Sequence, residues 1–554
     1  MRKRKKYNRG LRIKPGMMQG GTFAGGVLFA ILLMFTSCGE LERLIPLGFG
    51  YVDTEDDGNY AEEYESGDAM ENEAEPLYTS PTERTIYDDG ILRLHMRPPV
   101  TLNPLLNEDV TVARILRLIF EPLAVLDSEF RVTGHLAELA FAPDFSSVNA
   151  TIREGAIWSD GLPVTSDDVI FSISFLYNAP SSAIYSATIN KIESAVRIDA
   201  RTVQINFTRP SVISAYSLTF PVIPKHFYQN EISPQSPANL NPLGSGPFLL
   251  EAYAPMRSLE LWRNPNYSRG RAQIEQVEVV FLPNRDTDFY AFERGIIDAL
   301  RLPLTEWTRH HGVRSPAYEI FPAMYFEFIG FNFRRNIFRD VYTRQGIAHA
   351  FNADDAVAGL YLAHAVRSAT PFHPQNWAAR AITSPVYDPA RAAAILGTVR
   401  VTEPLVIIAN AENPQRATIA QRLAESLSHA GLPSTAEIIS TDEYFERLAA
   451  HDFDLFIGGM ELPFAPDLRV FFNAGELFPH DPIIESAFAA LQLASTEAAY
   501  IQAATRLQQT FADQLPVIGL AFKHSSVLTG PRISGNFSPA PDHIFVNVKE
   551  WRVS

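Results

Sequence analysis

The chain has 554 residues, 46% of them hydrophobic and 20% charged, a balance that describes a globular protein of roughly three domain-sized units. Its net charge of −16 excludes nucleic acid as a partner, because holding phosphates needs a basic face. A single cysteine, Cys38, excludes an intrachain disulfide and a cysteine-based zinc site.

Residues 2–14 carry eight Lys or Arg and no acid, and the apolar run Phe23–Phe35 follows, then Thr36, Ser37 and Cys38. A basic start, a short apolar core and small residues before a cleavage point predict an export signal over 1–37. The core is shorter than the ~20 residues of a comfortable membrane span. Cys38 at its end resembles the bacterial lipobox, with Phe35 where leucine is usual. It is the expected lipidation site and mature N-terminus, and a diacylglyceryl cysteine supplies the two chains that stable anchoring takes. Losing eight positive charges leaves a mature chain near −24. Tyr51–Glu83 has no Lys or Arg and is dense in Asp and Glu, so residues 38–84 read as a lipidated, acidic, disordered tether.

Periodic sequence begins near Ile86. Gly90–Pro98 reads as a strand, and "DVTVARILRLIFEPL" as a helix with Val112, Ile115, Leu116, Ile119 and Phe120 on one face. "WSDG", Trp158–Gly161, is a turn. Thr165 then caps a helix whose third position is Asp168, with Asp167 beside it at the positive end of the helix dipole. Three aspartates packed around a tryptophan are thereby explained without catalysis. Val203, Ile205 and Phe207 alternate as a half-buried strand, and Gln273–Asn284 is strand-like. "TRQGIAHAFNADDAV" and "QRATIAQRLAESLSHAGL" read as amphipathic helices, the second stopped at Gly431. Strands alternating with helices and hairpins, without an internal period, predict an α/β protein.

Several separated stretches resemble the extracellular solute-binding proteins of family 5, the peptide- and nickel-binding components of ABC importers. Ile119–Ser172 is similar to that family's opening pattern, including "IREGAIWSDGLPVTSDDVIFS". "IESAVRIDARTVQINFTRP", "PLGSGPFLLEAYAPMRSLELWRNPNYSRG", "GFNFRRNIFRDVYTRQGIAHAFN", "YDPARAAAILG" and "QLPVIGLAF" follow in the family's order. The resemblance implies an α/β, two-lobed periplasmic-binding-protein-like fold with an extra domain inserted in lobe I. Lobe I would comprise 85–124, 241–335 and 526–554, the extra domain 125–240, and lobe II 336–525. It implies a binding protein, with no catalytic residues, metal or cofactor, that captures a peptide or other small solute in the interlobe cleft. Its partners would be an ABC permease complex and, through the lipid anchor, a membrane, with the protein extracytoplasmic and monomeric.

Many members anchor a ligand's amino group on an Asp in a "gW..Dy.dP" segment. The matching stretch here is Gly458–Phe472, where the Trp position is Met460 and the Asp position is Pro463. Glu461 and Asp467 flank that position and are the candidate replacements. Tyr325, Phe326, Phe328 and Asn332 lie on the strand that lines the family's cleft, and Trp377 matches a segment near its pocket. For each aromatic of the strand the competing role is core packing, and for Trp377 it is that of a lobe anchor. Arg334, Arg335 and Arg339 read as a solvated face, and His310-His311 lacks the spacing of a helical metal pair. The chain carries no G-x-S-x-G elbow, H-E-x-x-H or Walker loop, so a hydrolase is the weaker reading. A family member acting as a sensor or surface-interaction lipoprotein is the alternative to import.

Overall fold

The computed structural model describes residues 87–229, 233–234, 236–302, 317–473, 477–478 and 480–554. The predicted export signal, Cys38, the acidic tether and His310-His311 lie outside them.

The strands that organise the protein are, in chain order, β1 (Ile91–Met96), β2 (Ala124–Leu126), β3 (Val132–Gly134), β4 (Ala137–Phe141), β5 (Ser147–Ile152), β6 (Ile192–Arg197), β7 (Thr202–Phe207), β8 (Phe248–Ala254), β9 (Ser258–Arg263), β10 (Gln276–Phe281), β11 (Ala299–Leu302), β12 (Ala317–Phe331), β13 (Ala365–Arg367), β14 (Leu405–Asn410), β15 (Ser434–Ile439), β16 (Leu455–Glu461) and β17 (Val517–Thr529).

The first body holds two four-stranded sheets, β1-β10-β9-β8 and β4-β5-β7-β6. Both bury their alternate apolar residues in one continuous core: Leu92 and Leu94 from the first, Val148, Ala150, Val203 and Ile205 from the second. Helix Ser166–Tyr177 adds Val169, Ile173 and Leu176 to that core, and the C-terminal segment returns to it with Phe545 and Trp551. Asp168 does more than cap this helix. Its carboxylate accepts from the Thr165 amide at 2.8 Å and hydroxyl at 2.9 Å, and from the Lys225 amide at 2.8 Å. Asp160 accepts from the Leu162 amide at 3.0 Å and meets His226 at 2.7 Å, while Asp167 pairs with Arg197 at 2.9 Å. All three aspartates thus serve local structure. Among the described residues no cluster of His, Cys, Asp or Glu could hold a metal.

The second body is built on a mixed sheet in the order β11-β17-β12-β16-β14-β15, with β13 paired to β17. β14 runs parallel to both β15 and β16, the arrangement that crossover helices such as Pro414–His429 produce. One face packs on helices Val341–Ala350, Ala353–Tyr361 and Pro414–His429, and the other on Pro482–Gln492 and Glu497–Gln514. The expected single helix through "TRQGIAHAFNADDAV" is two. Phe351 is extended (φ −104°, ψ 123°), and the Asn352 side chain caps the second helix by accepting from the Asp355 amide at 3.1 Å. A capping asparagine in mid-pattern restarts the helix that apolar spacing alone would continue.

The two long antiparallel strands cross between the bodies. Phe321 of β12 and Val527 of β17 lie in the first core, whereas Phe326, Phe328 and Phe522 lie in the second. Their pairing register shifts between Pro322 and Tyr325, a bulge placed where the strands pass from one core to the other.

Candidate functional site

Ligands of open α/β sheets lie outside the carboxyl ends of parallel strands, beside helix N-termini. Here that edge is formed by Asn410 ending β14, Glu461 ending β16, and the start of helix Pro414–His429. Three charged side chains meet beneath it. Glu327 of β12 is fully buried and accepts from Arg416 Nε at 3.0 Å and Nη2 at 3.1 Å. Lys523 of β17, buried at 1% exposure, pairs with the same carboxylate. Burial alone would raise Glu327, but Arg416 and Lys523 more than offset it and hold the carboxyl below its ordinary range. Burial lowers Lys523, with Glu327 opposing. Two cations on one buried acid leave one positive charge in excess.

Tyrosines surround this cluster. Tyr325 is the register partner of both Lys523 and Glu461. Its hydroxyl receives Arg416 Nη2 at 3.0 Å and donates to the Gly459 carbonyl at 3.3 Å. Tyr361 and Tyr444 are buried beside it, and Tyr444 donates to the Ile457 carbonyl at 2.8 Å. Gly459 makes the packing possible. A Cβ there would stand 2.6 Å from Arg416 Nη2 and 2.8 Å from both Glu327 Cδ and Tyr325 Cε1. Tyr325, Gly459 and Glu461 remain half-buried, so they form the solvent-facing margin over a closed charged floor.

On the opposite face of the sheet the two bodies meet in an apolar seam. Phe130, at the tip of the β2–β3 hairpin, is fully buried against His373 (centroids 4.8 Å) and Phe464 (5.9 Å). Its backbone is left-handed, φ 62°, a conformation costing a non-glycine residue about 1–2 kcal/mol. The Trp377 amide donates to the Glu129 carbonyl at 3.0 Å, and the Val212 amide to that of Ala494 at 2.9 Å. Arg131 lies over the Trp377 ring at 4.1 Å and pairs with Glu497 at 2.7 Å.

Residues 131–474 match the bacterial extracellular solute-binding proteins, family 5, middle region. The chain belongs to this family. It is 25% identical over 368 residues to the Brucella ovis "Putative ABC transporter peptide-binding protein", covering 62% of this chain and 68% of that one. Its fold is shared by CtaP, an ABC transporter substrate-binding protein of Listeria monocytogenes, with TM-score 0.71, 17% identity, and 84% and 100% of the two chains covered. It is shared also by the oligopeptide-binding protein AppA of Bacillus subtilis solved with a nonapeptide, with TM-score 0.59, 19% identity, and 84% and 99% covered. The two-lobed α/β fold read from the sequence is therefore the fold of this family 5 protein.

The candidate residues of this solute-binding protein divide by environment. Tyr325 and Glu461 come together at the sheet edge, while Met460, opposite Phe326, packs against the apolar core on the other face of the sheet. Phe326 and Phe328 are fully buried in an aromatic cluster with Phe471 and Phe522. Asn332 is buried, donating to the carbonyls of His451 at 3.0 Å and Phe453 at 2.7 Å. Trp377 belongs to the seam, stacked on Tyr500 with centroids 5.1 Å apart. Asp467 is held by Arg469, whose Nε lies 2.8 Å from Oδ1. Arg335 is half engaged, pairing with Asp454 at 2.6 Å. Sequence reasoning missed Glu327, Arg416 and Lys523. The available signal was Glu327 and Lys523 within the apolar runs of two long strands, where a buried charge needs a partner. Ser245 donates to the buried Glu121 at 3.0 Å.

Proposed function

We propose that this protein captures an oligopeptide or a related small solute between its lobes and delivers it to an ABC importer. It does so as an extracytoplasmic monomer tethered through a lipid on Cys38. The lobe boundaries are those that the family resemblance implies, with residues 125–240 as the extra domain.

The observation that carries the solute reading is the pair Tyr325 and Glu461. They face each other across β12 and β16 at the carboxyl end of the sheet, in the segment where relatives place an amine-anchoring acid. Pro463 fills that family position and is buried, so it offers no carboxylate. Glu461 is half-buried two residues earlier, and Asp467, four residues later, pairs with Arg469. Its register position opposite Tyr325 supports Glu461 as the acid that receives a ligand ammonium, with the strand edge offering neutral partners for a backbone. The names of the Brucella relatives and the nonapeptide held by AppA support a peptide.

Native mass spectrometry of the purified protein, followed by thermal shift with a peptide library, tests the proposal. Co-purified peptides and a raised melting temperature support it. A protein that retains no solute and shifts with no peptide sinks the peptide reading. Glu461→Gln should weaken peptide binding by roughly 10- to 100-fold, the worth of one charge-assisted hydrogen bond.

A further inference from the structure

The hairpin joining β2 to β3 closes with the Asp127 amide donating to the Arg131 carbonyl and the Phe130 amide to the Asp127 carbonyl, both at 3.0 Å. The Asp127 side chain accepts from the amides of Glu129 and Arg131. In such a three-residue turn the last position is left-handed and favours glycine. This chain has Phe130 there, at φ 62°. The turn itself gains nothing from an aromatic ring, so the ring must be accounted for by what it touches.

It touches the other lobe. The base of the hairpin, Leu123 and Ala124, belongs to the first core, while Leu126 and Phe130 belong to the second. His373, Phe464 and, behind His373, Phe522 form the socket. The Tyr216 hydroxyl, from the first body, donates to the Phe130 carbonyl at 2.9 Å and fixes the tip. In the turn between β4 and β5 Phe145 is left-handed too, at φ 50°, but its ring stacks on Phe141 of its own hairpin (centroids 4.9 Å).

We propose that Phe130 is a positioning residue for solute capture, a latch that holds the first body's hairpin in a socket of lobe II and biases the lobes toward closure. Closure about β12 and β17 must seat or withdraw this ring, so the hinge and the latch are one equilibrium. The latch concerns lobe closure and holds whatever solute enters the cleft.

Hydrogen exchange of the full chain reads the seam directly, because the Trp377 and Val212 amides are bonded across it. Phe130→Gly suits the backbone and removes the ring. Phe464→Ala empties the socket from the opposite side without touching the turn. Each should speed exchange at Trp377 and Val212 by roughly tenfold while β5 and β14 amides keep their protection, and Phe130→Leu should recover part of the loss. Wild-type protection of both seam amides in both variants overturns the latch. So does acceleration that appears only together with exchange in β5 and β14, which would mark general loosening.

Discussion

Lys523 and Tyr325 are register partners on the two strands that cross between the lobes, and the lysine ammonium stands 4.9 Å from the centre of the tyrosine ring. The pair sits directly after the register shift at Pro322, so the lobe II end of the hinge is fixed by charge as well as by the ladder. Glu327 is the common partner that keeps Lys523 and Arg416 compatible with burial.

Glu327→Gln should therefore be costly. It leaves two buried cations without their acid, and breaking a buried ion pair from one side costs about 3–5 kcal/mol. Lys523→Met keeps the Glu327–Arg416 pair and should cost less. Urea denaturation of both variants makes the comparison. A Glu327→Gln loss no larger than that of Lys523→Met would show that the carboxylate does not hold the cluster together.

Gly459→Ala should lose about 1–3 kcal/mol, the usual penalty of overpacking, because its Cβ would meet Arg416, Glu327 and Tyr325 at once. Gly359→Ala is the matched contrast. Gly359 lies exposed in helix Ala353–Tyr361, and a Cβ there meets nothing within 4 Å. Alanine should gain about 0.5–1 kcal/mol by its helix propensity. Thermal melts that moved in the same direction for both would contradict the packing described around Gly459.

Asp467→Asn should leave solute affinity unchanged, because Arg469 already holds that carboxylate. Titration of the variant with the peptides found by mass spectrometry checks this. A loss comparable to that of Glu461→Gln would move the amine anchor from Glu461 to Asp467.

Local signals in the sequence were read well where local physics decides the outcome. Thr165 and Asp168 begin a helix, the alternation of Val203, Ile205 and Phe207 marks a strand, and Gly431 with φ 91° ends Pro414–His429. The break at Asn352 was lost because apolar periodicity runs across it, and only the cap restarts the helix. The candidate site was legible in part. Tyr325 and Glu461 are near the edge that their strands imply, but Phe326, Phe328 and Asn332 share those strands and point into cores. Which face of a strand is buried depends on helices distant in the chain, such as Pro482–Gln492 and Glu497–Gln514 for Phe326 and Phe328. The charged floor was illegible for the same reason: Glu327, Arg416 and Lys523 become neighbours only when β12, β17 and helix Pro414–His429 meet. Phe130 could have been noticed as a bulky residue in a turn position that favours glycine, but not its socket.

Glu121 is buried, and its carboxyl is pushed up to about 7 by that burial, which the Ser245 hydroxyl and Arg269 only partly offset. Between the unfolded carboxylate value of about 4.3 and pH 7, the native state keeps a proton that the unfolded chain has released. This group's contribution is complete below about pH 4.3, declines as pH rises to 7, and is constant above. Burial acts oppositely on histidines. His135, His543 and His373 are held neutral, the last with its value lowered to about 3. As pH falls below about 6.5 the unfolded chain takes up protons these rings refuse, so their contribution is lost toward acid. From pH 7 to pH 5 the two effects oppose each other in the wild type. Glu121→Gln removes the compensating one, so the variant should lose stability more steeply over that interval. Urea midpoints at pH 5, 6, 7 and 8 measure both slopes. Parallel curves would mean that Glu121 is already ionised in the folded protein at neutral pH, with Arg269 and Ser245 outweighing its burial.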